Sequence, residues 1–227
     1  MAKINFIEKI NSGVILFDGG LGTELYNRGV FINRCFESLN ISDKQTIKNV
    51  HEDYKKAGAD VLETNTYGAN RIKLKQHQLH ENVYEINYEG AKIAREVAGD
   101  DLLVAGSIGP LGIMIEPLGP TSIEEAVEYF TEQIKPLIDG GVDLLIFETF
   151  IYPAELNAAI KAAKSLCDLP VIAQITIADN ADALTGASPE IMVSELVETG
   201  ADVIGINCSV GPQVMLSWLE QVRKITD

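Results

Sequence analysis

Three residues with chemical potential stand where short apolar runs break off. Asp18 follows Val14-Ile15-Leu16-Phe17, Glu148 follows Leu144-Leu145-Ile146-Phe147, and Cys208 lies in Gly205-Ile206-Asn207-Cys208-Ser209. Two carboxylates so placed can work as an acid/base pair or jointly bind a ligand's ammonium group. An isolated cysteine is more often a small buried apolar residue than a ligand, and zinc takes at least three protein ligands. Cys167 lies at a helix-to-strand junction, and Cys35 lies in a loop before a helix. His77 and His80 sit three apart in a polar stretch and read as surface residues. These residues alone complete no zinc site. Gly19-Gly20-Leu21-Gly22-Thr23 follows a strand and tests as a dinucleotide fingerprint, but Leu25 stands where a third Gly or Ala belongs. Such a loop still lets backbone amides approach a small anion such as a carboxylate.

The elements that must position these residues alternate along the chain. Strands are expected at 14–17, 60–64, 102–107, 142–149, 170–176 and 201–207, each a near-continuous apolar run as in parallel sheets buried on both faces. Between them lie helical patterns. Ile47, Val50 and Tyr54 mark one helix, opened by Ser42 with Gln45 at capping-box spacing. Val83, Ile86, Ile93 and Val97 line the next. Ile123, Ala126, Val127, Phe130, Ile134 and Leu137 make the cleanest stripe, with Ser122 and Glu125 placed to cap it and Pro136 expected to kink or shorten its last turn. Pro153 opens a helix to about Leu166, Ser188-Pro189 opens another, and Val214, Trp218, Val222 and Ile225 mark the last. The segment 108–120, with three Gly and three Pro, is a long loop within one domain.

An internal echo accompanies this alternation. Gly58-Ala59-Asp60-Val61-Leu62, Gly141-Val142-Asp143-Leu144-Leu145 and Gly200-Ala201-Asp202-Val203-Ile204 share one pattern. A glycine after a helix is the left-handed stop, and the aspartate leads into the strand. The far strand ends are polar: Glu63-Thr64-Asn65, Ser107, Glu148-Thr149, Gln174 with Thr176, and Asn207-Cys208-Ser209. Chemistry in parallel α/β architectures sits at those carboxyl ends.

With 18 Lys+Arg against 33 Asp+Glu the net charge is −15. That disfavours nucleic acid, whose affinity comes from cations neutralising phosphates, and an anionic membrane surface. No apolar run approaches the roughly 18 residues of a spanning helix. Charges interrupt the opening ten residues, so no signal peptide is read there, and three cysteines make no disulfide framework; a cytoplasmic setting is expected.

Asp18-Gly19-Gly20-Leu21-Gly22-Thr23, Glu63-Thr64-Asn65-Thr66-Tyr67, Gly106-Ser107-Ile108-Gly109-Pro110, Phe147-Glu148-Thr149 and Gly205-Ile206-Asn207-Cys208-Ser209 follow one another at strand ends. Together they resemble the homocysteine S-methyltransferase family. Thr66-Tyr67-Gly68-Ala69-Asn70-Arg71-Ile72-Lys73-Leu74 looks like its bacterial bifunctional branch, where a methylenetetrahydrofolate reductase domain follows. The resemblance covers essentially the whole chain. It implies an α/β fold, a (β/α)8 TIM-type barrel, with about six of eight strand–helix units here. Six units in 227 residues average about 38 each, so eight would need about 300. The domain 1–227 is therefore expected to stop before strands 7 and 8.

By the same resemblance, homocysteine binds with its thiol on a zinc held by three cysteines. Cys208 matches the first ligand and the catalytic position, while Asp18 and Glu148 match the acidic residues on the amino group. Gly19 lies nearby, and Thr64, Asn65, Ser107 and Asn207 are further substrate-binding candidates. The sulfur takes a methyl group from S-methylmethionine, S-adenosylmethionine, or a methylated folate or corrinoid, giving methionine. The family's adjacent cysteine pair after Gly-Gly has no counterpart here, so the 227-residue chain is expected to be inactive and metal-poor. Two alternatives stand beside this: a metal-free binding or scaffold domain, and an unrelated TIM-barrel aldolase or lyase. The latter needs a strand-end Lys or a late phosphate loop, and the strand ends carry no Lys.

Overall fold

The computed structural model describes residues 4–177 and 188–226; residues 1–3 of the segment read for a leader lie outside them. Five strands run β1 Val61–Glu63, β2 Leu103–Ile108, β3 Leu144–Phe150, β4 Val171–Ile175 and β5 Val203–Ile206. They form one sheet in the order β1-β2-β3-β4-β5. β1 pairs with β2 in parallel, as β4 does with β5. The described helices are α1 Phe6–Ser12, α2 Leu21–Asn27, α3 Leu39–Ser42, α4 Lys44–Ala57, α5 Arg71–Lys75, α6 Val83–Ala98, α7 Ile123–Gly140, α8 Pro153–Leu166, α9 Pro189–Thr199 and α10 Pro212–Val222. The chain divides into two compact units, Met1–Ile108 with Glu132–Leu145, and Gly109–Thr131 with Ile146–Asp227.

In the first unit, Leu25, Leu39, Ile47, Val50 and Ile93 form one buried cluster, and Cys35, Ala69, Leu74, Val83 and Ile86 form another. In the second, Ile177, Val193, Trp218 and Val222 pack together. The Phe150 ring lies 6.0 Å from that of Phe130 and 6.3 Å from that of Phe147.

Five expected strands are present and the first is reduced. Phe17 makes one bridge to Val61. The bonds of this segment run through Asp60 and Val61: Asp60 N–H donates to the Leu16 carbonyl and Asp18 N–H to that of Val61. Val14 and Leu16 remain 97% and 56% exposed, so their burial adds little to hold a regular strand. The start of α4 is also displaced. Asp43, not Ser42, caps it, accepting from Thr46 N–H at 3.3 Å, because a carboxylate both satisfies that amide and complements the helix dipole. Ser42 instead closes α3. Ser122 and Glu125 do form a reciprocal capping box, at 2.9 and 3.1 Å. Pro136 does not end α7, which continues to Gly140. Ile134 and Leu137, fully buried on either side of it, favour continuation against a proline cost of about 3 kcal/mol.

The glycine–aspartate echo has one physical meaning in all three copies. Gly58, Gly141 and Gly200 take φ of 101°, 91° and 101°, which turns the chain out of a helix at low cost. Each aspartate two residues on then accepts an N–H at the start of an earlier extended segment. Asp60 takes that of Leu16 at 2.9 Å, Asp143 that of Val104 at 2.8 Å, and Asp202 that of Val171 at 2.8 Å. Each carboxylate also meets a cation: Lys9, Arg95 and Lys164 respectively. For Asp60, the Leu16 N–H and the Lys9 ammonium hold the carboxyl below its ordinary range.

Two stability outcomes follow. Asp143, 8% exposed, should lose about 3 kcal/mol in urea unfolding on Asp143→Ala, since the change removes the carboxylate paired with Arg95 and leaves the buried Val104 N–H without that acceptor. The more exposed Asp202 should lose about 1 kcal/mol on Asp202→Ala. Equal losses would refute this account. His51 on α4 is buried with neither ring nitrogen hydrogen-bonded, and burial lowers its pKa to about 4. The fold holds it neutral, so its contribution is complete above the ordinary 6.5 and is lost as pH falls from there through about 4. Between pH 7 and pH 4.5 that amounts to about 2 kcal/mol. Chemical denaturation at the two pH values should show His51→Leu losing about that much less than the parent chain.

Candidate active site

In the first unit, Asp18 stands half-buried at the end of the 14–18 segment, its Oδ2 accepting from Glu63 N–H at 3.0 Å. Gly19 follows. A Cβ placed there would lie 3.0 Å from the Tyr54 hydroxyl, so any side chain at this position would require the Tyr54 ring to give by a few tenths of an ångström. Burial raises the Tyr54 pKa, and the nearby charges of Glu24 and Asp18 raise it further. Leu25, where a dinucleotide loop wants a small residue, fills the core beside Ile47 and Val50.

Beyond β1, a buried polar chain fixes the strand end. Thr66 Oγ1 donates to the Ser107 carbonyl at 2.7 Å, which leaves Thr64 as the donor in the 2.5 Å contact between the two threonine hydroxyls. Thr64 Oγ1 in turn accepts from Ser107 N–H at 3.0 Å. Gln133 Nε2 donates to the Thr66 carbonyl at 2.8 Å. Asn65 donates to the Phe36 carbonyl at 2.8 Å and to Asn40 Oδ1 at 3.0 Å, while Asn40 reaches the carbonyls of Asn65 and Ile86. Gly90 on α6 permits this contact, since a Cβ there would lie 2.6 Å from Asn40 Nδ2. Thr64, Asn65 and Ser107, the expected substrate contacts, are thus buried in a network that sets the shape of this rim.

In the second unit, Glu148, Asn207 and Cys208 come together from the ends of β3 and β5. Asn207 Oδ1 accepts from Thr149 N–H at 2.8 Å, and its Nδ2 donates to Thr149 Oγ1 at 2.8 Å. The same Nδ2 lies 3.4 Å from Glu148 Oε2 and 3.5 Å from Cys208 Sγ. Thr176 Oγ1 donates to the Asn207 carbonyl at 3.4 Å.

The three cysteines differ. Cys208 is exposed. Cys35 is buried, and desolvation with the adjacent Glu37 carboxylate pushes its thiol up to about 12, so it stays protonated and inert. Cys167 closes α8 with its sulfur 3.7 Å from the Ala163 carbonyl. His77 is exposed, and His80 Nε2 lies 3.4 Å from Glu81. No three His, Cys, Asp or Glu side chains gather as a metal-holding group among the described residues. One thiolate does not fit the three-ligand demand of a catalytic zinc. Nor is any described helix long and apolar enough to cross a membrane.

Asn40 and Gln133 were not anticipated from sequence, and Thr66 and Thr149 were read only as members of a motif and a polar strand end, with no role of their own. Gln133 carried a signal, being polar within the Phe130–Ile134–Leu137 stripe, where a buried amide must have a partner.

Residues 15–227 match the family model described as homocysteine S-methyltransferase. Methionine synthase from Mycobacterium tuberculosis is 28% identical over 238 residues, covering 97% of this chain and 20% of that protein. Its counterpart from Mycobacterium leprae is 29% identical, with the same shares. The chain therefore spans about a fifth of the length of these relatives. Among solved structures, the metallated form of the homocysteine methyltransferase MmuM from Escherichia coli superposes with a TM-score of 0.85 at 23% identity, over 96% of this chain and 83% of that one. The carboxyl transferase domain of Rhizobium etli pyruvate carboxylase with pyruvate superposes at 0.57 and 17% identity, over 94% of this chain and 34% of that one. These superpositions establish a shared α/β fold of the TIM-barrel type. By the extent of the family match and the five ordered motifs, the chain belongs to the homocysteine S-methyltransferase family.

Proposed function

We propose that this chain binds homocysteine for methyl transfer to its thiol, with methionine as product. The observation that carries this is the Glu148–Thr149–Asn207–Cys208 cluster, inside the family match and at the carboxyl ends of β3 and β5. By the family resemblance, Asp18 in the first unit and Glu148 in the second are each candidates for the substrate's ammonium group, a carboxylate opposite a cation being among the stronger hydrogen-bonding pairs. Gly19, Thr64, Asn65, Ser107 and Asn207 are further candidates for contact with the substrate. In the transfer, a homocysteine sulfur lone pair forms a bond to the methyl carbon. The bond from that carbon to the donor breaks, its electrons leave with the donor, and the thiol proton is lost. A free thiol with a pKa near 8.5 is only a few per cent thiolate at neutral pH, so deprotonation is the step that needs help.

Zinc is the family's means of supplying that thiolate. Cys208 would be one ligand and two more are required, so no step is routed through the metal here. S-methylmethionine, S-adenosylmethionine, and a methylated folate or corrinoid are the donors to compare. A linked methylenetetrahydrofolate reductase domain would favour the folate. Three free cysteines suit a reducing cytoplasm.

Calorimetric titration tests the substrate. Homocysteine should bind the purified chain, and Asp18→Asn and Glu148→Gln should each weaken it about tenfold, as expected for loss of one charge-assisted hydrogen bond. Binding indifferent to both changes would sink the proposal. Metal analysis of the isolated chain should give well under one zinc per molecule, with no methionine formed; stoichiometric zinc lost in Cys208→Ser would contradict that.

A further inference from the structure

Three residues other than glycine hold left-handed backbone beside Glu148 and Cys208: Thr149 at φ 63°, Cys208 at 62° and Ser209 at 61°. A β-branched residue is the least suited to that region, so Thr149 stays there only because its surroundings impose it. The imposing group is the Asn207 side chain. Its orientation is set by chemistry, because the Thr149 N–H can only donate and must face Oδ1. Nδ2 then has two protons. One goes to Thr149 Oγ1, and the other is directed at Glu148 Oε2 and Cys208 Sγ. Thr149 Oγ1, having accepted from Asn207, keeps its own proton to donate to Cys208 Sγ, 3.8 Å away. The Asn207 backbone is itself tied, its N–H donating to the Ile175 carbonyl at 3.2 Å.

We propose that Asn207 and Thr149 are positioning residues. The Asn207 amide locks the left-handed turn at Thr149 and so aims the Glu148 carboxylate, while the Thr149 hydroxyl and the second amide proton hold the Cys208 sulfur. This rests on the reading that Glu148 and Cys208 face the substrate. It goes further in assigning their geometry to two side chains, neither of which need touch it.

The test uses the full chain with Thr149→Val, which keeps the shape and removes the hydroxyl, and Thr149→Ser, which restores it. Thr149→Val should weaken homocysteine about tenfold, and Thr149→Ser should recover most of that, with melting temperatures close to the parent's. At one neutral pH, Thr149→Val should change the rate of Cys208 alkylation by iodoacetamide about threefold, since the exposed sulfur loses one of the contacts that hold its position. Asn207→Asp keeps the acceptor for the Thr149 N–H but loses both donated protons, and should weaken homocysteine at least as much as Thr149→Val. A purely structural role would lower the melting temperature and leave alkylation by the folded chain unchanged. Thr149→Val behaving as the parent, or Thr149→Ser failing as badly as Thr149→Val, would overturn the proposal. Alkylation needs no ligand, so if homocysteine fails to bind the parent chain, the substrate reading falls while the clamp is still judged by the Cys208 rates.

Discussion

Everything at the strand ends depends on how the strands are held at their starts. In a parallel sheet, slipping one strand by a single residue sends each side chain to the opposite face. The chain meets that risk three times in one way: a left-handed glycine ends a helix, and an aspartate two residues later takes an N–H near the start of a neighbouring extended segment. A carboxylate bonded to one particular amide, and paired to a cation, tolerates no alternative register without leaving charge and amide unsatisfied. The polar residues that end these strands inherit their positions from it.

The opposite ends show the complementary strategy. Thr64, Thr66 and Ser107 satisfy one another in a closed cycle, and Asn40, Asn65 and Gln133 attach that cycle to α3 and α7. Such a buried cycle is rigid because moving Thr64, Thr66 or Ser107 would break the bonds of the other two. Asp18 emerges from this rigid ground with one oxygen on the Glu63 N–H, which orients the carboxylate at the strand end.

Much of this was legible from residues in order. The strands announced themselves as apolar runs, Cys208 and the two carboxylates as polar interruptions, and the capping box at Ser122–Glu125 as a spacing. Legibility stopped where distance in sequence began to matter. Thr149 and Asn207 are 58 residues apart and Gln133 and Thr66 are 67 apart, beyond any local periodicity. Local preference also yielded to packing. Pro136 is a helix breaker by its own chemistry, yet buried neighbours carry α7 past it. Asp43 displaced Ser42 as a cap because a carboxylate serves the helix dipole better than a hydroxyl.

The two ends of each strand thus divide the work. Starts carry the aspartate contacts and stabilise; ends carry polar groups and, at β3 and β5, left-handed backbone. Left-handed conformations at Thr149, Cys208 and Ser209 would be poor design in a site whose only task was to fold. They occur beside the exposed thiol and the strand-end glutamate, while the buried thiol at Cys35 is pushed far from reactivity by burial and Glu37. Of the four left-handed residues other than glycine among the described residues, three fall at the exposed sulfur and the strand-end glutamate, the distribution expected if the ends of β3 and β5 are shaped for a reacting ligand.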